Sequence, residues 1–336
     1  MIELPSSDSL SSTSVTPLDT AARIKSLAIE MGFQRAGIAP AAPLEHGSYY
    51  RNWLDAGHAG TMDYLRRSAA VRDDPRHLLP GAKSVVCVAL QYAAGDDPPA
   101  SVGTPSGRVA RYARGRDYHT VMRRMLDRLA ARMREVIEAP FRSQACVDTM
   151  PVLEKELARV AGLGWMGKNT LLLNRELGSY LFLGELVTTL ALPSDQPVTD
   201  HCGSCTRCLD ACPTRAFPAP YQLDATRCIS YLTIEHRGEI PSALHAGIGD
   251  WVFGCDICQE VCPFNADPAS SSNPALAASQ TPARIPLEQL ARLTSGDYRR
   301  LTRDSALRRA SVKMLRRNAA IAIVNAAQDP AAHAAT

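Results

Sequence analysis

The chain has 336 residues, enough for about two domains. Hydrophobic residues make up 46% and charged residues 21%, a balance that excludes disorder throughout. The net charge is +3, but residues 281–336 carry ten Lys and Arg against four Asp and Glu, which suits a polyanionic partner. No apolar run reaches the ~18 residues of a membrane span, and residues 1–18, rich in Ser, Thr and Pro, lack the features of a secretory signal. We therefore predict a disordered leader over 1–18, a cytoplasmic location and no membrane partner.

Residues 19–198 show helix and strand patterns in alternation, which predicts an α/β (α+β) domain. Apolar residues at helical spacing predict two amphipathic helices, over 19–32 with Asp19 or Thr20 as N-cap, and over 117–138. Apolar runs predict four strands, over 84–92, 143–147, 170–173 and 180–189. The first is rich in Val and suits a strand buried on both faces. A helix over 151–161, with Pro151 in its first turn, follows the second strand.

The remainder of the chain divides around its cysteines. Residues 199–265 contain eight of the ten, and residues 266–282, rich in Ala, Ser and Pro, are predicted to be a linker. Helical spacing returns in 283–336, with helices predicted over 286–293 and 304–327, the second broken near Asn318. Basic residues fall on adjacent turns of this last segment, where they form either a solvated face or phosphate contacts: Arg308, Arg309, Lys313, Arg316 and Arg317. Apolar neighbours there can pack inward: Ala306, Leu307, Ala310, Met314 and Leu315.

Three glycines, Gly162, Gly164 and Gly167, match the GxGxxG pattern of dinucleotide-binding turns. That motif needs a strand before it and a helix after it, and here the predicted order is reversed. The glycines are therefore interpreted either as a tight helix-to-strand turn or as backbone that approaches a bound cofactor closely.

Two cysteine motifs dominate the middle of the chain. Residues 202–213 read C-x2-C-x2-C-x3-C-P, and residues 255–263 read C-x2-C-x3-C-P with Cys228 upstream in place of the missing member. The first spacing is that of bacterial two-cluster ferredoxins, in which the fourth cysteine ligates the other cluster. Crossing the ligands in this way predicts two 4Fe-4S clusters. One set is Cys202, Cys205, Cys208 and Cys262, and the other is Cys212, Cys228, Cys255 and Cys258.

Structural zinc is the alternative for these eight thiolates, but all-cysteine zinc sites usually show paired CxxC units with a long spacer. The eight ligands fill two clusters with none left over, and two neighbouring clusters form a path for single electrons. The α/β domain is then expected to hold an electron acceptor. Cys87 and Cys146 stand apart in apolar surroundings and are interpreted as buried free thiols.

A resemblance to the epoxyqueuosine reductase family covers about residues 20 to 327. It rests on the two cysteine motifs and on three further segments, VDTMPVLEKELARVAGLGWMGKNTLLL, GSYLFLGEL and CISYLTIEHRG. The resemblance implies cobalamin-dependent reduction of the epoxide of epoxyqueuosine at the tRNA wobble position, the last step of queuosine biosynthesis. It also implies base-off cobalamin, an external donor of flavodoxin or ferredoxin type and a monomer. The electron-transfer plan is similar to that of reductive dehalogenases.

Residue roles carry over to the positions that match. The resemblance makes Asp148 the proton donor and the C-terminal segment the start of a short, HEAT-like helical region. The positions that resemble cobalamin contacts are Arg72, Asp148, Leu172, Ile229, Ser230, Tyr231 and Ile257. Those that resemble tRNA-facing positions are His236 and Arg237, beside the basic residues of the C-terminal helix. Lys168 is interpreted either as a partner for a phosphate or propionamide group or as a surface lysine.

Reduction of an epoxide to an alkene and water needs two electrons and two protons. A carboxyl group at the end of a strand, beside an apolar corrin, is expected to have a raised pKa and to donate a proton near neutral pH. Asp148 has that position, although the same spacing suits the N-cap of helix 151–161. His119 and Tyr118, at the start of the predicted helix 117–138, are interpreted either as orienting groups or as structural residues.

Three other classes of protein compete with this interpretation. An electron carrier without a catalytic centre does not need the long domain before the cysteines. A corrinoid reductase of small molecules, similar to a reductive dehalogenase, leaves the basic C-terminal segment unexplained. A non-catalytic RNA-binding protein with structural metal does not account for a full ligand set in a ferredoxin arrangement.

Overall fold

Helices and strands alternate up to residue 188, and mostly short helices follow. The computed structural model describes residues 16–92, 105–267, 271, 273–277 and 280–328. The helices are α1 Pro17–Glu30, α2 Gly47–Asp55, α3 Asp63–Arg67, α4 Ala69–Arg72, α5 Tyr118–Val136, α6 Glu154–Val160, α7 Arg207–Asp210, α8 Ile229–Ile234, α9 His245–Ile248, α10 Ile257–Glu260, α11 Pro274–Ala277, α12 Leu287–Ala291, α13 Ser295–Leu301 and α14 Val312–Gln328. The strands are β1 Arg35–Pro40, β2 Ser84–Gln91, β3 Ser106–Val109, β4 Ser143–Cys146, β5 Trp165–Met166, β6 Leu172–Leu173, β7 Leu181–Thr188, β8 Trp251–Phe253 and β9 Arg284–Pro286.

The main sheet has the order β1-β2-β7-β4, and every pair of neighbours is antiparallel. Strand β2 is buried along its whole length, as its Val-rich run predicts. Helix α5 covers one face, where Met122 and Leu126 lie close to Gly184, and α6 covers the other. The predicted mixed α/β fold is confirmed, with antiparallel strands that place it on the α+β side.

Helix α1 begins two residues before the predicted start. Thr16, not Asp19 or Thr20, is its N-cap, and Asp19 completes a capping box with it. The last residues of the predicted leader therefore belong to an ordered helix start, and residues 1–15 lie outside the described residues. Ile24, Leu27 and Ala28 of its predicted apolar stripe are buried in the core, whereas Ala22 of that stripe is exposed and Ala21 is buried instead.

The segment between β4 and α6 differs from the prediction. Helix α6 begins at Glu154 rather than residue 151, and its N-cap position is Leu153. Asp148 is therefore not a helix cap, and the capping interpretation is wrong. After α6, Gly162 has φ +75°, and a Cβ on Gly164 would lie 2.1 Å from the carbonyl oxygen of Leu173. The glycines thus form a tight turn into the β5–β6 hairpin, so the dinucleotide pattern is excluded here.

A second sheet joins distant parts of the chain. Strand β3 pairs in parallel with β8, from the cysteine segment, and antiparallel with β9, from the C-terminal segment. Helices α12 and α14 pack beside this sheet, and the five C-terminal residues predicted to face inward are all buried. Since these elements share one core, the division into 19–198, 199–265, 266–282 and 283–336 remains a prediction from the sequence.

The predicted break in the last helix is wrong, because α14 runs through Asn318 without interruption. The buried amide of Asn318 donates to the carbonyl oxygens of Thr233 and Val252, each at 2.9 Å. In the predicted linker, the described residues include α11, and the N–H of Arg116 donates to Ala275 O. None of the helices among the described residues is long and apolar enough to cross a membrane.

Candidate active site and cysteine centres

Asp148 follows β4 in a strained main-chain conformation. Its φ is +45°, in the left-handed region that a residue with a Cβ disfavours. Its N–H donates to Glu154 Oε1 at 2.5 Å, across the loop that leads into α6. Its carboxylate is half exposed, at 50%. The strand and the loop therefore leave the Asp148 carboxylate accessible to solvent.

His119 is the direct partner of that carboxylate. It lies in the first turn of α5, where the N-cap Asp117 accepts its N–H. Its Nδ1 lies 2.7 Å from Asp117 Oδ1, and its Nε2 lies 2.8 Å from Asp148 Oδ2. The imidazole is thus held between two carboxylates from different elements.

This arrangement decides where the proton lies. Burial lowers the pKa of His119, but the hydrogen bonds and charges of Asp117 and Asp148 outweigh it and raise that pKa to about 9. Burial raises the pKa of Asp148, yet the hydrogen bond to His119 lowers it overall. The expected raised pKa of Asp148 is therefore wrong for this structure, because that expectation left out the imidazolium. At neutral pH the pair holds its proton on His119.

Three tyrosines from separate elements surround the Asp148 carboxylate. Tyr118 stacks on Phe182, with ring centroids 4.2 Å apart, and its hydroxyl interacts with Asp148. Burial and the negative charge of Asp148 both raise the phenol pKa values of Tyr64 and Tyr112. The Asp148 carboxylate therefore has three phenol groups among its electrostatic partners.

An ion pair formed by the C-terminal segment lies close to Tyr64 and Asp148. Arg309 binds Glu235 with both Nε and Nη2, at 2.7 and 2.8 Å. Its guanidinium lies 5.5 Å from the ring centroid of Tyr64 and also feels the charge of Asp148. Arg309 thus borders the candidate active site instead of lying on a remote basic face.

The positions that resemble cobalamin contacts fall into three places. Arg72 is buried and donates to Ser68 Oγ at 2.9 Å and to the carbonyl oxygen of Val152 at 3.0 Å, next to the Asp148 loop. Leu172 is buried with α6. The others lie around α8 and α10, where Ile229 and Tyr231 are buried and Ser230 and Ile257 half-buried. The Tyr231 hydroxyl already accepts the N–H of Thr61 at 2.8 Å.

The first predicted cysteine set lines one cavity of about 230 Å³. All four of its members contribute to the wall: Cys202, Cys205, Cys208 and Cys262. Trp165, His201 and Phe264 form edge-to-face ring contacts beside it. The chain thus brings together a cysteine from the second motif with three from the first, as the crossed assignment requires.

The second set surrounds a neighbouring point. Burial raises the pKa of the Cys228, Cys255 and Cys258 thiols, and the charges of the group's own members, Cys212 among them, act in the same direction. Cys258 also feels the charge of Cys208, so the two groups adjoin. Cys87 and Cys146 are buried in the sheet, far along the chain from both groups.

The glycine turn is tied to both cysteine groups. Lys168 Nζ donates to the carbonyl oxygens of Gly203 and Cys205, at 2.6 and 3.0 Å. The Asn169 amide donates to Cys258 O at 3.4 Å. Lys168 is therefore neither a simple surface lysine nor a phosphate partner here, because it anchors the first cysteine loop.

The remaining basic positions differ in their surroundings. Arg308, Lys313, Arg316 and Arg237 are exposed, and Arg316 Nε donates to Leu293 O at 3.0 Å. Arg317 is half-buried and donates to the carbonyl oxygens of Leu232, His236 and Gly238. These bonds fasten α14 to the turn after α8, so Arg317 has a structural role that the sequence interpretation missed.

The sequence singled out His119 and Tyr118 but left open whether they orient a bound group or are structural. It missed Glu154, Glu235 and Tyr64 altogether. No spacing marks these three, since each reaches the site through a separate loop or helix. The one usable signal was the Asp-x-His pattern at the start of α5, in which the N-cap also binds the imidazole.

The fold and these groups define a class of protein, the iron–sulfur oxidoreductases. In this chain a carboxylate–imidazole pair accompanies the two cysteine groups. Residues 201–265 match the family model of the 4Fe-4S double cluster binding domain, and residues 72–149 match that of epoxyqueuosine reductase QueG, DUF1730. The epoxyqueuosine reductase of Xanthomonas campestris is 45% identical over 313 residues, with 92% of this chain and 88% of the relative covered. That of Escherichia coli is 40% identical over 320 residues, covering 93% and 84%.

Solved structures agree. A crystal structure of epoxyqueuosine reductase with an epoxyqueuosine-modified stem loop of tyrosine tRNA has a TM-score of 0.83 and 31% identity, covering 90% of this chain and 80% of that one. The Bacillus subtilis enzyme, with its catalytic aspartate loop swung out of the active site, also has a TM-score of 0.83, with 30% identity and coverage of 93% and 82%. The chain belongs to the epoxyqueuosine reductase family, and it is an oxidoreductase.

Proposed function

We propose that this chain reduces the epoxide of epoxyqueuosine at the wobble position of tRNA, giving queuosine as the last step of queuosine biosynthesis. The two cysteine groups would hold two 4Fe-4S clusters, which would supply single electrons from a donor of flavodoxin or ferredoxin type, and a cobalamin would supply the reducing centre. The observation that carries the proposal is the His119–Asp148 pair, which places one transferable proton on a half-exposed carboxylate in a chain that also assembles two groups of cysteines. Family membership supports the substrate.

The cysteines suit the clusters by their chemistry and their placement. Four thiols line one cavity, four more adjoin it, and thiolates are the usual ligands of 4Fe-4S clusters. We assign the first cluster to Cys202, Cys205, Cys208 and Cys262, and the second to Cys212, Cys228, Cys255 and Cys258. Burial of the second group, which opposes free thiolate charge, is consistent with a metal that carries the compensating positive charge.

The surroundings of Asp148 are compatible with a corrin. Its carboxylate is half exposed, and the aromatic side chains of Tyr64, Tyr112 and Tyr118 interact with it. When bound, cobalamin supplies a strongly reducing metal that can open a strained ring. The residues proposed to hold it are Arg72, Leu172, Ile229, Ser230, Tyr231 and Ile257.

The chain's own contribution is the proton. The imidazolium of His119 donates to Asp148 Oδ2, and the Asp148 carboxyl group donates to the former epoxide oxygen as negative charge develops there. Conversion of the epoxide to an alkene consumes two electrons and two protons and releases water. The pair supplies one proton at a time, because His119 must be reprotonated before the hydroxyl group leaves as water.

The exposed basic residues Arg237, Arg308, Lys313 and Arg316, together with His236, are proposed to contact the phosphates of tRNA. Arg309 lies near Asp148. It is therefore proposed to contact the part of the tRNA loop that carries the modified nucleotide. Arg317 is left out because its donors already bind three carbonyl groups. The protein is proposed to act as a cytoplasmic monomer.

The test is a single-turnover reaction of the anaerobic protein, loaded with iron and cobalamin, on tRNA that carries epoxyqueuosine. Queuosine in the nuclease digest is the expected product. The rival, a corrinoid reductase of small molecules, predicts no queuosine and reduction of a halogenated phenol instead. Absence of queuosine with both cofactors loaded contradicts the proposal.

A further inference from the structure

We propose that Glu154 is a positioning residue that holds the Asp148 loop in place through the main-chain N–H of Asp148. The inference deepens the proposed function and rests on it, because it concerns the group that donates the proton. Glu154 does not touch the reacting atoms in this arrangement. It fixes the backbone from which the Asp148 carboxylate reaches His119.

The conformation of Asp148 needs such a support. A non-glycine residue in the left-handed region persists only where its surroundings hold it. Two contacts do so: Glu154 Oε1 accepts the Asp148 N–H at 2.5 Å, and His119 Nε2 binds the Asp148 carboxylate at 2.8 Å. The first fixes the main chain from α6, and the second fixes the side chain from α5. Loss of the first removes the hydrogen bond of the Asp148 N–H and leaves Asp148 held through its side chain.

The groups around Glu154 explain how a carboxyl group can serve here. Burial and the charge of Asp148 raise the pKa of Glu154 to about 8, against the opposing effects of the Asp148 N–H hydrogen bond and of the charges of Arg72 and His119. A neutral carboxyl group accepts the Asp148 N–H without placing a second negative charge beside the Asp148 carboxylate. Tyr118, Cys146 and the next residue in α6, Lys155, also interact electrostatically with the Glu154 carboxyl group.

A second acidic residue, Glu185, interacts with Glu154 from the interior of the sheet. It is fully buried on β7, between its ladder neighbours Cys87 and Cys146. Neither of its carboxyl oxygens has a hydrogen-bond partner among the described residues. Burial raises its pKa well above the ordinary value. Glu154 thus interacts with two groups: the buried neutral acid Glu185 and the main-chain N–H of Asp148.

A difference between two structures bears on the loop. In the Bacillus subtilis relative the catalytic aspartate loop is swung out of the active site. In this chain Asp148 lies against His119.

A plainly structural role for Glu154 is the alternative, because acidic residues are common in the first turn of a helix. The two roles differ in what a glutamine does. Gln has no ionisable group but keeps an acceptor oxygen at the position of Glu154 Oε1, so it can still accept the Asp148 N–H. Ala removes the acceptor altogether.

The experiment compares Glu154→Ala and Glu154→Gln in the cofactor-loaded protein. Hydrogen exchange is measured over residues 147–150, and single-turnover reduction and tRNA affinity are measured in parallel. In Glu154→Ala, exchange of this segment is expected to be about 10-fold faster and reduction about 10-fold slower, the factor that one ordinary hydrogen bond supports. The tRNA dissociation constant is expected to be unchanged, and Glu154→Gln is expected to restore both values.

Glu156→Gln is the matched control, since it lies in the same helix but binds Arg159 and His46 instead. Unchanged exchange over 147–150 in Glu154→Ala overturns the proposal, and so does a Gln variant that behaves like Ala while it retains its iron and its secondary structure. Exchange is measured without turnover. A protein that fails to make queuosine, yet shows the exchange difference, contradicts the proposed function and not the role of Glu154.

Discussion

The imidazole Nε2 of His119 lies 2.8 Å from Asp148 Oδ2, while Asp117 binds the other ring nitrogen at 2.7 Å. The two carboxylates raise the pKa of His119 to about 9 against the effect of burial. The pKa of Asp148 is lowered by the same contact. At neutral pH the acid of this site is therefore an ion pair, with the proton on the imidazole and the half-exposed carboxylate beside it.

Asp148→Asn removes the group that passes the proton on. We expect cobalamin binding, iron content and tRNA affinity to remain close to those of the unaltered protein. Single-turnover reduction is expected to fall by ~10²-fold or more, the usual scale for a general acid. Rapid-quench measurement of queuosine checks this. Undiminished turnover with both cofactors bound assigns the proton to another group, such as Tyr118 or water.

His119→Gln changes the pH dependence. In the unaltered protein the transferable proton is bound below about pH 9, so reduction is expected to decline as the pH rises through that value. Without the imidazolium the proton has to be held by Asp148 itself. The declining limb of the pH–rate profile is therefore expected to move to lower pH, whereas Asp148→Asn lowers the rate at every pH. A profile that keeps its limb near pH 9 in His119→Gln contradicts this role.

Patterns that repeat along the chain were readable from the sequence. The apolar run of β2 and the helical spacing of α5 predicted those elements to within two residues of their bounds. The cysteine spacing predicted which thiols meet across the two motifs, and the four lining the cavity agree with it. Each of these signals is local or periodic, so it does not depend on the rest of the fold.

What the sequence did not give depends on contacts between distant segments. The lowered pKa of Asp148 follows from His119, which is 29 residues away along the chain. The continuity of α14 follows from carbonyl groups of Thr233 and Val252 that accept the buried Asn318 amide. Arg309 and Arg317 have the same charge and lie in the same segment, yet one lies near Asp148 and the other binds main-chain carbonyl groups. Spacing does not distinguish such cases.

Glu185 is expected to make stability depend on pH. Burial raises its folded-state pKa well above the ordinary value, and the ordinary value of about 4.3 applies when the chain is unfolded. Its contribution to stability is therefore complete below about pH 4.3 and declines, by about 1.4 kcal/mol for each pH unit, as the pH rises towards the folded-state pKa. Glu185→Gln removes this decline.

The melting temperature of the anaerobic holoenzyme tests this expectation between pH 5 and 8. Relative to the unaltered protein, Glu185→Gln is expected to gain stability as the pH rises. Glu138→Gln is the control, because Glu138 is exposed after α5 and its loss changes no buried charge. A constant difference across this pH range contradicts the neutral buried acid.

Single cysteine variants test the crossed ligand sets. The unaltered protein is expected to contain about eight iron and eight sulfide per chain. Cys208→Ser is expected to remove the cluster in the cavity, and Cys228→Ser the other, each leaving about half of the iron. Cys87→Ala is the control and is expected to keep all of it, because Cys87 lies in the sheet. About two zinc and no labile sulfide in the anaerobic protein rules out both clusters.

The C-terminal segment offers the last test, since its arginines and lysine divide by environment. Arg308, Lys313 and Arg316 are exposed, and phosphate contacts by such residues set affinity and position without selecting bases. Changing all three to Gln is expected to raise the tRNA dissociation constant and to reduce the slope of its salt dependence by at most about 3.

Reduction at saturating tRNA is expected to change little in this triple variant, because His119 and Asp148 are untouched. Two exposed arginines of α5, Arg124 and Arg128, provide a matched control of similar charge on another surface. Arg317→Gln is expected to behave differently from both, with a lower melting temperature, because it removes charged donors from three carbonyl groups. If the triple variant keeps the full salt slope, tRNA docks elsewhere, and the neighbourhood of His236 and Arg237 is the next surface to neutralise.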